Sequence, residues 1–211
     1  PQMIPERILT IESFENAILV HAAISGSTNC MLHIPAIAHE LGLEITGDTF
    51  DRLHRKAKYL LNIRPTGQWP AECFYYAGGV PAIMEEIREH LHLNVMTVTG
   101  NTLGENLEEL KNNGFYERCQ EGLKEFNERF GVSLVKEDII RPNDKPLGTD
   151  GSIAVLYGNL APEGAVIKHT ACPKEMFQAV LRARPFDSEE ECLEAVLEHR
   201  VEKGDAGFIR Y

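Results

Sequence analysis

The stretch NAILVHAAISGSTNCMLHIPAIAHELG, residues 16–42, is the part of the sequence from which the fold is best predicted. Apolar residues recur at helical spacing on both sides of residues 25–29, which predicts one helix over 11–24 and another over 30–41. Pro35 removes one backbone hydrogen bond inside the second helix, where we expect a kink, and Gly42 is a suitable end. The polar turn interrupts a mostly apolar segment. We therefore expect the turn to be buried or half-buried and to need polar partners.

Two interpretations of this turn are equally open. The backbone N–H groups at the start of a helix are free to face an anion or a substrate oxygen, which favours a ligand-binding loop. The same residues also suit an N-cap with tight helix packing. The nearby His21, His33 and His39 have an ordinary interpretation as satisfied or partly exposed side chains.

Composition limits the class of protein. The 211 residues carry a formal net charge of -11, from 21 Lys+Arg against 32 Asp+Glu. No basic cluster offsets this charge, so we expect no nucleic-acid partner. No apolar run reaches about 18 residues, so we expect no transmembrane helix and no membrane partner. The absence of a signal-peptide pattern makes a cytoplasmic location the expectation.

The cysteines indicate neither a zinc site nor a disulfide framework. They are odd in number, far apart and free of CxxC or CxxH spacing, so they are interpreted as small hydrophobes in a reducing compartment. The five positions are Cys30, Cys73, Cys119, Cys172 and Cys192.

Further helices are predicted from caps and apolar periodicity. Asp48, with Asp51 at the capping-box position, is predicted to start a helix that runs to Tyr59. Pro81 is predicted at the first position of the next helix. The remaining predicted helices cover 102–110, with a Thr102–Glu105 capping box, 115–130, ended by Gly131, 173–183, and 188–199.

Short runs of alternating or β-branched residues predict strands in the remaining segments. The first half of the chain is therefore mainly helical and the second half is a strand-rich α/β unit. The predicted strands cover residues 94–99, 132–135, 153–157, 165–168 and 208–211.

No complete catalytic motif is present, but longer motifs carry a family resemblance. Residues 16–42 resemble the segment around GGSTN in the dihydroxy-acid dehydratase and 6-phosphogluconate dehydratase family. Further matching motifs follow in the family's order. They are AGGVPAIM at 77–84, TVTGNTLGENL at 97–107 and GSIAVLYGNLAPEGAVIK at 151–168.

The resemblance implies a fold and a division of the chain. The fold class is mixed α/β. Residues 1–112 correspond to the mainly helical end of the family's N-terminal domain, and residues 113–137 to a helical linker. Residues 138–211 begin the strand-rich C-terminal domain, a swivelling β-barrel-like α/β domain. The chain is thus expected to be an internal segment of a longer, homo-oligomeric protein.

The resemblance also implies an activity for that parent protein. It would be a hydro-lyase that dehydrates a 2,3-dihydroxy acid to a 2-keto acid. Motifs such as HIPAIAH at 33–39 and KHTACP at 168–173 resemble the sugar-acid (aldonate) branch, whose product is a 2-keto-3-deoxy acid. One alternative is a branched-chain dihydroxy-acid dehydratase. Another, of a different class, is a non-catalytic binding or interaction module derived from this fold.

Members of the family use an iron–sulfur cluster, Mg²⁺ and an alkoxide serine. The motifs that supply these groups are absent from the 211 residues, so no catalytic residue and no metal ligand is assigned, and the chain alone is expected to be inactive. Ser27, Thr28 and Asn29 are the candidate substrate-pocket residues. Ser25 stands where the family usually has Gly, which weakens the expectation of a positive φ there.

Overall fold

The computed structural model describes residues 3–210. These residues form ten helices and two separate two-stranded sheets, without a closed barrel in that part of the chain, which confirms the mixed α/β class. The helices are α1 Pro5–Ile8, α2 Ile11–Ala23, α3 Cys30–Glu40, α4 Gly47–His54, α5 Ala71–Tyr76, α6 Gly79–Glu86, α7 Leu103–Asn112, α8 Phe115–Phe130, α9 Lys136–Ile139 and α10 Glu189–Leu197. The strands are β1 Ile153–Leu156, β2 Ala165–Lys168, β3 Arg182–Phe186 and β4 Asp205–Ile209.

The chain divides into two compact units, Pro1–Ala171 and Cys172–Tyr211. Helices α1–α9 with strands β1 and β2 belong to the first unit, and β3, α10 and β4 belong to the second. The assignment of 1–112, 113–137 and 138–211 to family domains stays a prediction. Among residues 3–210, no helix combines the length and the apolar character needed to cross a membrane.

One apolar core holds the first unit together. Ile18 of α2, Phe50 of α4, Ile83 of α6 and Ile139 of α9 are fully buried in it. Helix α2 is central because most of its residues from Phe14 to Ala23 are buried, which follows from its nearly continuous apolar sequence. The C-terminal end of α2 is therefore a rigid base for the turn that follows it.

Strand β1 connects the β1–β2 hairpin to helix α4. It pairs antiparallel with β2, with Ile153 opposite Lys168. Two further N–H groups of β1 bind side chains of α4: Ile153 N–H donates to His54 Nδ1 at 3.1 Å and Val155 N–H donates to Asp51 Oδ1 at 2.9 Å. The hairpin is thereby fixed beside the helices.

The second unit is a βαβ arrangement. Strands β3 and β4 are parallel, and α10 connects them. Ser188 caps α10 because its hydroxyl accepts a hydrogen bond from Glu191 N–H. Asp205, whose side chain is inaccessible to solvent, accepts from Arg182 at 2.6 Å and from Arg184 at 3.2 Å.

Several predicted elements are confirmed closely. Helices α2, α3 and α8 match their predicted ranges within one residue, and Gly42 and Gly131 end α3 and α8 at positive φ. The Thr102–Glu105 capping box is present, with Thr102 N–H donating to Glu105 Oε2 at 2.7 Å. These elements have local signals, so the sequence suffices to place them.

Two helix starts were predicted wrongly. Thr46, not Asp48, is the N-cap of α4, because the Thr46 hydroxyl accepts from Thr49 N–H in a capping box. Helix α4 also ends at His54 instead of continuing to Tyr59. Helix α6 begins at Gly79, two residues before Pro81. Proline is tolerated throughout the first turn, where its missing N–H has no helical partner.

Two predicted strands are absent from the described residues. Residues 94–99 form no strand because hydrogen bonds of Thr97 to Asn101 and Asn106 fold them into a turn. Residues 132–135 form no strand either, because the N–H and C=O groups of Leu134 are both hydrogen-bonded to the side-chain amide of Asn127.

Tertiary pairing overrides the helix predicted over 173–183. That segment holds only a 3₁₀ turn, Lys174–Met176, and then enters β3, which pairs with β4. Strand β4 covers Asp205–Ile209, so the strand predicted at 208–211 starts earlier, and its last residue, Tyr211, lies outside the described residues.

Candidate functional site

The turn after α2 is a Schellman motif with serine in the glycine position. Gly26 N–H donates to His21 C=O at 2.9 Å, and Ser25 N–H donates to Ala22 C=O at 3.3 Å. Ser25 has φ +54°, in the left-handed region. The expectation that serine would disfavour a positive φ here is therefore wrong, because the two turn hydrogen bonds impose the conformation that glycine adopts more easily.

The pocket candidates lie on the outer side of this turn. Ser25 is buried and Gly26 is half-buried, whereas Ser27, Thr28 and Asn29 are exposed. The expectation of a buried or half-buried loop thus holds for its first two residues only. The side chains of the other three face solvent at the start of α3.

The prediction of free backbone donors at this helix start is wrong for most of them. Asn29 N–H donates to Ser27 Oγ at 3.3 Å. Cys30 N–H donates to Ser27 C=O at 3.1 Å, and Met31 N–H donates to Thr28 C=O at 3.0 Å. A tight turn immediately before α3 uses these groups internally. The N–H groups of Asn29, Cys30 and Met31 are accordingly not available to a ligand, whereas Thr28 and Asn29 are exposed.

The hairpin β1–β2 supplies the inner supports of the loop. Lys168 Nζ donates to the carbonyl oxygens of Ser25 at 2.7 Å and Gly26 at 3.2 Å. Ser25 Oγ and Thr170 Oγ1 are 3.2 Å apart and share a hydrogen bond. Burial lowers the pKa of the Lys168 ammonium. Residues more than 140 positions apart in sequence are thus joined at this loop.

Two buried histidines lie directly beneath the loop. His21 Nε2 is 2.9 Å from the Ser27 carbonyl oxygen, and His21 Nδ1 is 3.1 Å from His54 Nε2. Burial lowers the pKa of His21, and the nearby Lys168 charge lowers it further. Burial, together with the proximity of His21 and His169, lowers the pKa of His54 to about 3. Both imidazoles are therefore neutral at pH 7.

Two glycines leave room for these rings. A Cβ atom at Gly26 would lie 2.2 Å from His21 Cδ2, and a Cβ atom at Gly151 would lie 2.7 Å from His54 Nδ1. Such distances are far below van der Waals contact, so any larger residue at either position would displace a ring. Glycine is required here for close approach of the backbone to the imidazoles.

The histidines singled out from the sequence have different environments. His21 is buried and hydrogen-bonded, whereas His33 and His39 are exposed on α3. Sequence reasoning missed His54, Lys168 and Thr170 as parts of this site. The spacing of His21 and Ser25 by one helical turn was a usable signal, but the approach of α4 and β2 to the loop has no local signature.

The residues present do not fit the iron–sulfur cluster or the Mg²⁺ ion that the family resemblance implies. Within residues 3–210, no group of three or more His, Cys, Asp or Glu side chains is placed to hold a metal ion. The five cysteines are separate and free. No chemical step through either group is therefore derived from this chain.

A cavity of about 360 Å³ lies elsewhere in the first unit. Its lining comes from α5, α8 and the segment around Leu134 and Lys136, and includes Tyr116. Burial is the main cause that raises the pKa of the Tyr116 phenol to about 12. None of residues 25–29 lines this cavity.

Comparison with known proteins matches both halves of the chain. Residues 2–106 match the family model described as dihydroxy-acid/6-phosphogluconate dehydratase N-terminal, and residues 138–211 match the corresponding C-terminal model. The loop and His54 fall in the first match, and Lys168 and Thr170 fall in the second.

Curated relatives are similar over almost the whole chain. Proteins named dihydroxy-acid dehydratase are 41% identical over 209 residues in Oleidesulfovibrio alaskensis, 40% over 209 residues in Caldicellulosiruptor bescii and 42% over 207 residues in Methanosarcina barkeri. Each alignment covers 98% of this chain and 34% of the relative, so the chain spans about a third of the length of these relatives. The chain belongs to the dihydroxy-acid/6-phosphogluconate dehydratase family.

Proposed function

We propose that this chain forms part of a hydro-lyase that removes water from a 2,3-dihydroxy acid. In that reaction C2 loses a proton, the 3-hydroxyl leaves as water, and the resulting enol becomes a 2-keto acid. Membership in the dehydratase family supports the reaction type. The base and the Lewis acid would come from other parts of a longer protein.

The substrate favoured by the comparisons is the alternative considered from sequence. The relatives are named dihydroxy-acid dehydratase, which supports a dihydroxy acid in general and the branched-chain enzyme over the sugar-acid enzyme. The motifs at 33–39 and 168–173, which resemble the aldonate branch, remain the argument for a sugar acid. Assay of the parent enzyme with a branched 2,3-dihydroxy acid and with an aldonate distinguishes the two.

Within this reaction, we assign Ser27, Thr28 and Asn29 to one wall of the substrate pocket. The observation that carries the assignment is their exposure on a loop whose backbone is anchored from behind by His21 and Lys168. Two hydroxyls and an amide match a polyhydroxy carboxylate, which offers both donors and acceptors. Pre-positioned side chains lose little conformational entropy when they bind.

Thr28→Val in the parent enzyme tests the assignment. Loss of one substrate hydrogen bond should lower kcat/KM by about three- to ten-fold. Thr149→Val, at an exposed threonine outside the loop, is the matched control and should leave kcat/KM unchanged. Unaltered kinetics of Thr28→Val would remove Thr28 from the pocket.

A further inference from the structure

The hydrogen bonds beneath the loop have only one consistent direction. The backbone N–H of Ile153 can only donate, so His54 Nδ1, 3.1 Å away, must accept and carries no proton. The neutral ring of His54 therefore holds its proton on Nε2 and donates it to His21 Nδ1. His21 is then protonated on Nε2 and donates to the Ser27 carbonyl.

Protonation of either ring would break this sequence of bonds. A proton on His54 Nδ1 would face the Ile153 N–H, and a proton on His21 Nδ1 would face the His54 Nε2–H. The charged and titratable groups around the pair are Lys168, His169, whose Nε2 lies 2.6 Å from Gly151 C=O, and Asp51, which is paired with Arg55. Of these, only Asp51 favours a charged imidazole.

Packing prevents the rings from turning over. Gly26 lies against the edge of the His21 ring, and Gly151 lies against Nδ1 of His54. Phe50 makes an edge contact with His21, at 6.1 Å between ring centroids and 89° between planes. A ring flip would exchange nitrogen for carbon at each contact and forfeit the hydrogen bonds.

The loop is held at three consecutive carbonyl oxygens. Lys168 binds those of Ser25 and Gly26, and His21 binds that of Ser27. The Ser27 carbonyl also accepts from Cys30 N–H at the start of α3, so its orientation controls where α3 begins. A displaced Ser27 carbonyl would move the side chains of Thr28 and Asn29 with it.

We propose that His54 and His21 are positioning residues, and that their one-way hydrogen-bond chain from Ile153 N–H to Ser27 C=O sets the conformation in which residues 27–29 meet substrate. The relevance to substrate rests on the proposed function, whereas the hydrogen-bond chain itself does not. The two histidines act only through the loop, and neither ring touches substrate.

Nitrogen-15 NMR of the 211-residue chain tests the hydrogen-bond chain directly. With ¹⁵N-labelled histidine at pH 7, we expect both rings as Nε2–H tautomers and a scalar coupling between His54 Nε2 and His21 Nδ1 across the hydrogen bond. A Nδ1–H tautomer for either ring, or a missing coupling with both rings sharply resolved, would overturn the proposal. The wild-type measurement needs no variant to fold.

His54→Phe then tests the effect on the loop. It keeps a ring in the space but removes the donor to His21, so the amide resonances of residues 27–29 should shift. His39→Phe, on the exposed face of α3, is the control and should leave the loop resonances in place. Unshifted resonances in a folded His54→Phe chain contradict the positioning role.

In the parent enzyme, His54→Phe should raise KM by about three- to ten-fold with kcat little changed, because the loop binds substrate without entering the chemical step. The Thr28→Val kinetics and the NMR coupling together separate the two proposals. If Thr28→Val is silent while the NMR coupling is present, the pocket assignment fails and the hydrogen-bond chain stands. If the coupling is absent while Thr28→Val impairs turnover, the positioning proposal fails alone.

Discussion

Ser25 shows how a single residue is held in a conformation it does not prefer. The Schellman hydrogen bonds at the end of α2 require a positive φ, and Ser25 adopts +54°. A left-handed conformation costs a non-glycine residue about 1 kcal/mol or more. The hydrogen bond to Thr170 and the Lys168 bond to the Ser25 carbonyl offset that cost. Serine thus adds a side-chain bond to the hairpin at the expense of backbone strain.

Two substitutions at this position separate those effects. Ser25→Gly and Ser25→Ala both remove the hydroxyl, but only glycine relieves the strain at positive φ. We expect Ser25→Gly to be more stable than Ser25→Ala by about 1 kcal/mol in urea unfolding. Equal unfolding free energies for the two variants would show that position 25 carries no left-handed strain.

At the scale of elements, α2 and α4 are joined by two neutral histidines. The pKa of His54 in the folded chain is about 3, well below the value of about 6.5 for an unfolded histidine. Between these values the unfolded chain binds a proton that the folded chain does not. The contribution of His54 to the unfolding free energy is therefore fully present above pH 6.5 and is lost as the pH falls toward 3. The lowered pKa of His21 acts in the same direction.

Lowering the pH from 7 to 5 should thus cost about 2 kcal/mol of unfolding free energy through His54 alone. Urea unfolding at the two pH values measures this difference. His54→Phe should reduce the difference by about that amount, whereas His33→Gln, at an exposed histidine, should preserve it. A wild-type difference that His54→Phe leaves intact would place the titrating group elsewhere.

At the scale of the whole molecule, we propose that the chain supplies one wall of a substrate pocket whose other groups belong to a longer protein. The exposed loop 27–29 is supported by His21 and Lys168, and within residues 3–210 no three His, Cys, Asp or Glu side chains are grouped to hold a metal ion. The chain also spans about a third of the length of its curated relatives. This share of the relatives' length agrees with our proposal that the chain contributes binding surface to a larger enzyme.

We therefore expect the 211-residue chain alone to show no dehydratase turnover and no iron–sulfur absorption band after anaerobic reconstitution. The parent enzyme, reconstituted in parallel, is the control for the procedure. Formation of 2-keto acid from a 2,3-dihydroxy acid by the chain alone would contradict this expectation. A stoichiometric cluster absorption band would contradict it as well.

Local features were sufficient to predict much of this protein from sequence. Apolar periodicity placed α2, α3 and α8, and the Thr102–Glu105 capping box placed the start of α7. The motif at residues 16–42 indicated the family. These predictions succeed because helix periodicity, caps and glycine ends depend on residues only a few positions apart.

Only the tertiary structure decided which side chains support the loop and which segments became strands. Pairing with β4 formed β3 from residues 182–186, the first two of which lay in the helix predicted over 173–183. His54, Lys168 and Thr170 form hydrogen bonds with residues of the segment 21–27. The bonded residues are 33 to 145 positions apart in the sequence. The sequence alone determined the loop and its family. The direction of its hydrogen bonds and the burial that keeps its histidines neutral depend on contacts between distant segments, which no local pattern encodes.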